Sequence, residues 1–295
     1  MTENKIVHIL KGDDVFPQRF SNYANMPEEL YLIGSLPDPA KKTVAIVGAR
    51  VCTAYGRIQA FQFAKELSRN GVQIISGLAA GIDTEGHKGA LEGGTPTFAV
   101  LGSGVDICYP SSNRVVYERI VQKGGGIISE YPPGSPPLAY HFPIRNRIIS
   151  ALADLVLVME ARARSGSLIT ANYALDQGKP LYALPGAIHE KLSEGTNQLI
   201  FDGAGLALSP EVILTELGVI SRKETDCIEP ASKPASDALS GKILACLSTT
   251  PVTMNEIMRQ TGLSLREVTE VMIPLQLSGR IEEISKGNFT IGRKS

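Results

Sequence analysis

The sequence predicts an α/β chain. It has an extended Rossmann-like, doubly wound and mostly parallel sheet, followed by a small C-terminal winged-helix domain. Three observations predict it. Five short apolar runs end in Gly, Ser or Arg just before a helix-like segment: Val44–Arg50, Val72–Gly77, Thr97–Gly104, Leu155–Ser167 and Leu181–Gly186. The strands within them (VAIV, FAVL, LVLVM) are continuously apolar, as parallel strands covered by helices on both faces must be. Beyond a polar stretch at 221–236, the remaining residues read as three short helices and a hairpin.

Residues 1–40 hold several breakers (Pro17, Pro27, Gly34, Pro37, Pro39) and read as a lead-in that packs on the main domain. The core spans 41–220. Its helices are expected at 55–70, 81–92, 113–123, 144–152, 168–177, 192–201 and 210–217, alternating with most strands. Residues 221–236 carry two prolines and no periodicity, which marks a linker. From 237 to 295 the winged helix follows. An amphipathic helix begins at Asp237, a second precedes the break at Gly262, and a third buries Val268, Val271, Met272 and Leu275 on one face. A hairpin then turns around Gly287. Glu267 and Glu270 beside Arg266, with Glu282 and Glu283 in the wing, weaken the usual link from this module to duplex DNA.

Composition narrows the function. A net charge of -1 gives no global attraction for polyanions, so a nucleic-acid surface must be a local patch. Cys52, Cys108, Cys227 and Cys246 lie far apart without a CxxC pair, as reduced thiols of a cytoplasmic protein would. The four histidines are equally scattered, so no metal site is expected. No apolar run is long enough for a membrane span, and no export signal opens the chain.

In such sheets the strand-to-helix junctions share one edge, where ligands bind. Arg50 leaves the first strand there, placed to grip a phosphate bidentately or to sit in a surface ion pair. Ser76 and Gly77, and Gly102, Ser103 and Gly104, offer backbone amides near helix starts, although tight turns need glycine anyway. In the segment His141–Leu152, Arg145 falls on the apolar face, Asn146 points away and Arg147 flanks it. Arginines near a helix start oppose its dipole unless an anion joins them; a carboxylate such as Glu130 or Asp154 is the alternative partner for Arg145. Tyr109, Tyr131, Tyr140 and Phe142 lie near these loops and are candidates for stacking on bases. No GxGxxG with its distal acid, no GxSxG and no HExxH occurs, so a dinucleotide cofactor or a standard hydrolase site is not expected. Asp83 and His87 lack an accompanying nucleophile and read as structural.

These stretches together resemble the DNA-processing protein A (DprA, also called Smf) family. The resemblance is carried by VGARVCTAYG, SGLAAGIDTEGHKGAL, AVLGSGVDICYP, ISEYPPG, FPIRNRIISAL, SGSLITANYAL and PGAIHEKLSEGTNQLI, in unbroken order from about 44 to 201. It implies a non-enzymatic single-stranded DNA-binding protein without cofactor. Such a protein dimerises through its core, protects incoming DNA and loads RecA recombinase in natural transformation and homologous recombination. The resemblance places DNA contacts on Arg50, Phe142, Arg145, Asn146 and Arg147, with Gly77 and Gly102 to Gly104 lining the groove. The alternative is a nucleotide-binding phosphoribohydrolase-like enzyme. It would need a PGGxGTxxE signature, and PGAIHEKLSEGTNQ lacks the glycine pair and that order.

Overall fold

The computed structural model describes residues 5–219, 243, 246, 252–277, 281–285 and 288–291. The expected linker at 221–236, and all of the helix expected from Asp237 except Ile243 and Cys246, lie outside the described residues. The chain divides into two units, Met1–Lys223 and Glu224–Ser295.

The first unit is built on a nine-stranded sheet in the order β1-β2-β6-β5-β4-β3-β7-β8-β9. Seven strands run parallel: β3 (Thr43–Val47), β4 (Gln73–Ser76), β5 (Thr97–Val100), β6 (Gly126–Ser129), β7 (Leu155–Val158), β8 (Leu181–Ala183) and β9 (Gly205–Leu206). The lead-in is more than packing. It supplies β1 (Val7–Leu10) and β2 (Glu29–Gly34), which join the sheet antiparallel against β6. Their shortness and the prolines between them hid them from a periodicity reading.

The helices are α1 (Ala54–Arg69), α2 (Ile82–Gly93), α3 (Arg114–Gln122), α4 (His141–Leu152), α5 (Gly166–Asp176), α6 (Glu194–Phe201) and α7 (Pro210–Glu216). All seven match expected helices to within about three residues at either end. Strand alternation then divides the core. Val44, Ile46, Ile74, Leu155 and Leu157 pack under Phe63 and Leu67 of α1, Ile82 of α2 and Ile213 of α7. On the other face Ala45, Val47, Ile75, Val100, Val156 and Val158 meet Ile148, Ile149 and Leu152 of α4 and Ala171 and Ala174 of α5. Each buried aliphatic side chain of this kind contributes about 1.5–3 kcal/mol.

Strand order has one consequence for function. The chain winds outward from β3 through β4, β5 and β6, then crosses back through α4 to place β7 on the other side of β3. The reversal point lies between β3 and β7. Crevices outside the carboxyl ends of strands open at such points.

The described residues of the second unit hold the second and third expected helices and the hairpin. Helix α8 (Met254–Thr261) is capped by Thr253 and stopped by Gly262 at φ 70°. Helix α9 (Leu265–Leu277) follows, then the hairpin of β11 (Ile281–Ser285) and β12 (Asn288–Ile291), with β10 (Val252–Thr253) completing a three-stranded sheet. Val268, Val271, Met272 and Leu275 are buried together with Ile257, Ile281 and Phe289.

Candidate nucleic-acid interface

At the reversal point a cleft of about 470 Å³ opens between the loop after β3 and the loop after β7, with the start of α4 along its side. The two loops are tied together. Glu160, buried directly after β7, accepts a hydrogen bond from the Thr53 backbone N–H at 2.9 Å and another from the Thr53 hydroxyl. The Thr53 hydroxyl also caps α1 by accepting from the Gly56 N–H at 3.0 Å. Gly56 must be glycine because a Cβ there would run into the Glu160 carboxylate. One carboxylate thus fixes both rims.

Behind the cleft lies a buried charged cluster. Arg145 is only 4% exposed, as its place on the apolar face of α4 predicts. Its Nη1 donates to the carbonyls of Gly77 (3.0 Å) and Val100, and its Nε donates to Asn146 Oδ1 at 3.2 Å. Asp83 faces the same spot and accepts from the amides of Gly77 (3.1 Å) and Ala79 (3.3 Å). A Cβ on Gly77 would lie 2.5 Å from Arg145 Nη2 and 2.8 Å from Asp83 Oδ2, so this glycine makes room for the cluster. Burial lowers the Arg145 pKa to about 10, against the opposing charge of Asp83, and the guanidinium stays ionised at neutral pH. Burial raises the Asp83 pKa, while Arg145 and the two amides hold it down.

Several expected contacts are therefore corrected. Helix α4 begins at His141, so Arg145 and Arg147 are past its first turn and exert less effect on its dipole. Ser76 is 0% exposed, and its hydroxyl donates to the Ile46 carbonyl. Ser103 is also buried and donates to the Ile107 carbonyl. The Gly77 and Gly104 amides are not bare, being held by Asp83 and by the Ser135 carbonyl. Gly102 supports an aromatic instead: a Cβ there would sit 3.0 Å from the Phe142 ring. Arg147 is bound bidentately by Glu130 at 3.0 and 2.6 Å, the carboxylate considered for Arg145.

Four expected residues do converge. Arg50, Phe142, Arg145 and Asn146 all line the cleft. Arg50 is exposed, makes no ion pair among the described residues, and places its guanidinium carbon 5.2 Å from the Phe142 ring centroid. Phe142 in turn packs against Tyr109, with centroids 5.6 Å apart. Tyr131, by contrast, is stacked on His141 at 3.8 Å, and burial pushes its hydroxyl up to about 12. His87 is fully buried with Nδ1 2.8 Å from Thr97 Oγ1, and burial pulls its pKa down to about 3.

The opposite rim went unassigned in the sequence. Arg162, Arg164, Ser165 and Thr170 line it. The run from Leu155 to Ser167, which ends in ARARSGS, carries two arginines at its strand-to-helix junction. Knowing that β7 neighbours β3 is what singles it out.

Residues 7–218 match the family described as DNA recombination-mediator protein A, and residues 228–285 match the DprA winged helix domain. The chain belongs to the DNA recombination-mediator protein A family. It is 35% identical to protein Smf of Escherichia coli over 97% of this chain and 78% of that one. Against DNA processing protein DprA of Streptococcus pneumoniae it is 41% identical over 69% of this chain and 72% of that one. The X-ray structure of the latter superposes with a TM-score of 0.68 at 39% identity, covering 72% of this chain and 74% of that one. A DNA processing protein A from Helicobacter pylori, whose structure concerns its single-stranded DNA binding mode, superposes at 0.65 with 31% identity, covering 73% of this chain and 96% of that one. Family membership agrees with the resemblance read from the motifs. Among the described residues no helix is long and apolar enough to cross a membrane.

Proposed function

We propose that this protein binds single-stranded DNA in the cleft between β3 and β7, without acting on it as an enzyme, and passes the strand to RecA recombinase in natural transformation and homologous recombination. The observation that carries the reading is the pairing of exposed, unpartnered arginines with an aromatic at the cleft mouth. Arginine supplies phosphate contacts, and Phe142 with Tyr109 supplies faces for unstacked bases, worth about 1–3 kcal/mol per base. A flexible single strand can bend into a crevice that a stiff duplex cannot enter.

The non-enzymatic reading is supported by what the buried polar groups are already doing. Asp83 is committed to two amides and His87 to Thr97, and a histidine with a pKa of about 3 is a poor base at neutral pH. A cytoplasmic homodimer completes the proposal. Ile188 (82% exposed) and Phe201 (86% exposed) flank an apolar cleft with Leu168 and Leu199, a surface costly to leave in water. Fluorescence anisotropy with labelled oligothymidylate tests the reading. Binding should weaken steeply with salt, and salt-independent or absent binding defeats it.

A further inference from the structure

The far rim of the cleft carries features that Arg50 and Phe142 do not account for. Arg162 and Arg164, in the turn between β7 and α5, are exposed and make no ion pair among the described residues. Thr170, in the second turn of α5, lines the same cleft while only 1% exposed, and its hydroxyl makes no side-chain hydrogen bond to any described residue. A hydroxyl so enclosed ordinarily has a partner. The first turn of α5 contains no acidic residue, and its dipole favours an anion. Ser165 already satisfies part of that turn, accepting from the Ser167 N–H at 3.3 Å, while the Leu168 N–H donates to the Ser165 carbonyl. With the Ser167 and Leu168 amides taken, side chains are the main donors this rim offers.

The geometry points to a second phosphate subsite formed by Arg162, Arg164 and Thr170, which holds another phosphate of the strand gripped by Arg50 on the opposite rim. The inference rests on the single-strand reading above and adds a direction to it: the strand crosses the crevice from one rim to the other. Asn146 ties α4 to the far rim. Its Oδ1 accepts from Arg145 and its Nδ2 donates to the Gly166 carbonyl at 3.3 Å, at the head of α5. Thr170 supplies a neutral donor to a phosphate oxygen, and the arginines supply charge. The ligand chemistry is a phosphate, either an internal diester or a terminal monoester.

Anisotropy titrations over a range of KCl concentrations, with oligothymidylate bearing a 5′-hydroxyl or a 5′-phosphate, test it. The Arg162→Ala/Arg164→Ala double variant should flatten the plot of log affinity against log salt by about 1.4 for two lost single-strand contacts. Thr170→Val should weaken binding roughly 2- to 10-fold with the slope unchanged, as expected for one neutral hydrogen bond. A preference for the 5′-phosphate that disappears in the double variant assigns the monoester; equal affinity with the same flattening assigns the diester. Retention of the wild-type slope by Arg162→Lys/Arg164→Lys shows that the double variant lost charge rather than fold. A double alanine variant with an unaltered slope, while Arg50→Ala lowers it, overturns the second subsite. If Arg50→Ala also binds as wild type does, the single-strand reading itself falls.

Discussion

Replacing Arg145 by alanine should damage the fold before it touches DNA. The guanidinium holds the carbonyls of Gly77 and Val100, bonds Asn146, and its charge lowers the pKa of the buried Asp83 carboxylate. Its removal leaves the two buried carbonyls without their donor, at about 1–3 kcal/mol each, and takes away the positive charge that acts on the buried Asp83 carboxylate. Native domains are stable by about 5–15 kcal/mol, so the loss is a large share of the total. Urea unfolding followed by circular dichroism should show a midpoint displaced accordingly.

The deficit should also depend on pH. Burial raises the folded pKa of Asp83, so stability from its protonated form is present in acid and lost as pH rises through that pKa. Arg145 opposes the rise, and its loss lets the pKa climb further. The gap between wild type and variant therefore widens from acid to neutral pH. Asp83→Asn should recover part of the loss in the Arg145→Ala background, giving a coupling of about 0.5–3 kcal/mol. An Arg145→Ala protein with the wild-type midpoint but no affinity for oligothymidylate would refute this reasoning, and Arg145 would then be a direct phosphate ligand.

Arg50→Ala should leave the unfolding midpoint in place and weaken oligothymidylate binding by about 1.5–3 kcal/mol, the worth of a charged hydrogen bond, measured by anisotropy. If the proposed homodimer forms through this face, Phe201→Glu should sediment as a monomer where the wild type sediments as a dimer, since a charge is costly to bury unpaired in an apolar contact, and a wild-type monomer refutes the dimer. His87 should make the fold acid-sensitive. Its folded pKa of about 3 lies below the ordinary histidine value of 6.5, so stability is full above 6.5 and falls on acidification, by about 4–5 kcal/mol once both values are passed. Urea titrations at stepped pH should show that slope, and His87→Gln should lose it.

Much of this was legible in the chain. Continuous apolar runs such as Leu155–Val158 announce strands buried on both faces, and each is fully covered. The helical spacing of Ile148, Ile149 and Leu152 also placed Arg145 inward. The sequence reading went astray where side chains compete for the same atoms. Nothing in the order of residues says that Asp83 takes the Gly77 amide, or that Glu130 takes Arg147 and leaves Arg145 to backbone carbonyls. Strand order was equally silent. Arg162 and Arg164 become neighbours of Arg50 only because β7 pairs with β3.

The division between buried and exposed arginine explains how one cleft can be firm and adaptable together. A phosphate ligand must be able to move to meet a flexible strand, which suits Arg50, Arg162 and Arg164 at the surface. A mobile ligand is useful only on a fixed base, since disorder in the frame would be lost as entropy on binding. Arg145 and Glu160 supply that base. The first joins the β4 and β5 ends to α4 through backbone carbonyls, with the Asp83 carboxylate of α2 as a nearby opposite charge, and the second joins the β3 and β7 loops through Thr53. Arg145 contributes a second effect through its position. It is a cation with little solvent around it, so its field reaches the cleft with less screening than a surface charge would have. A chain whose net charge is -1 can in this way present a positive site to a polyanion without a basic surface overall.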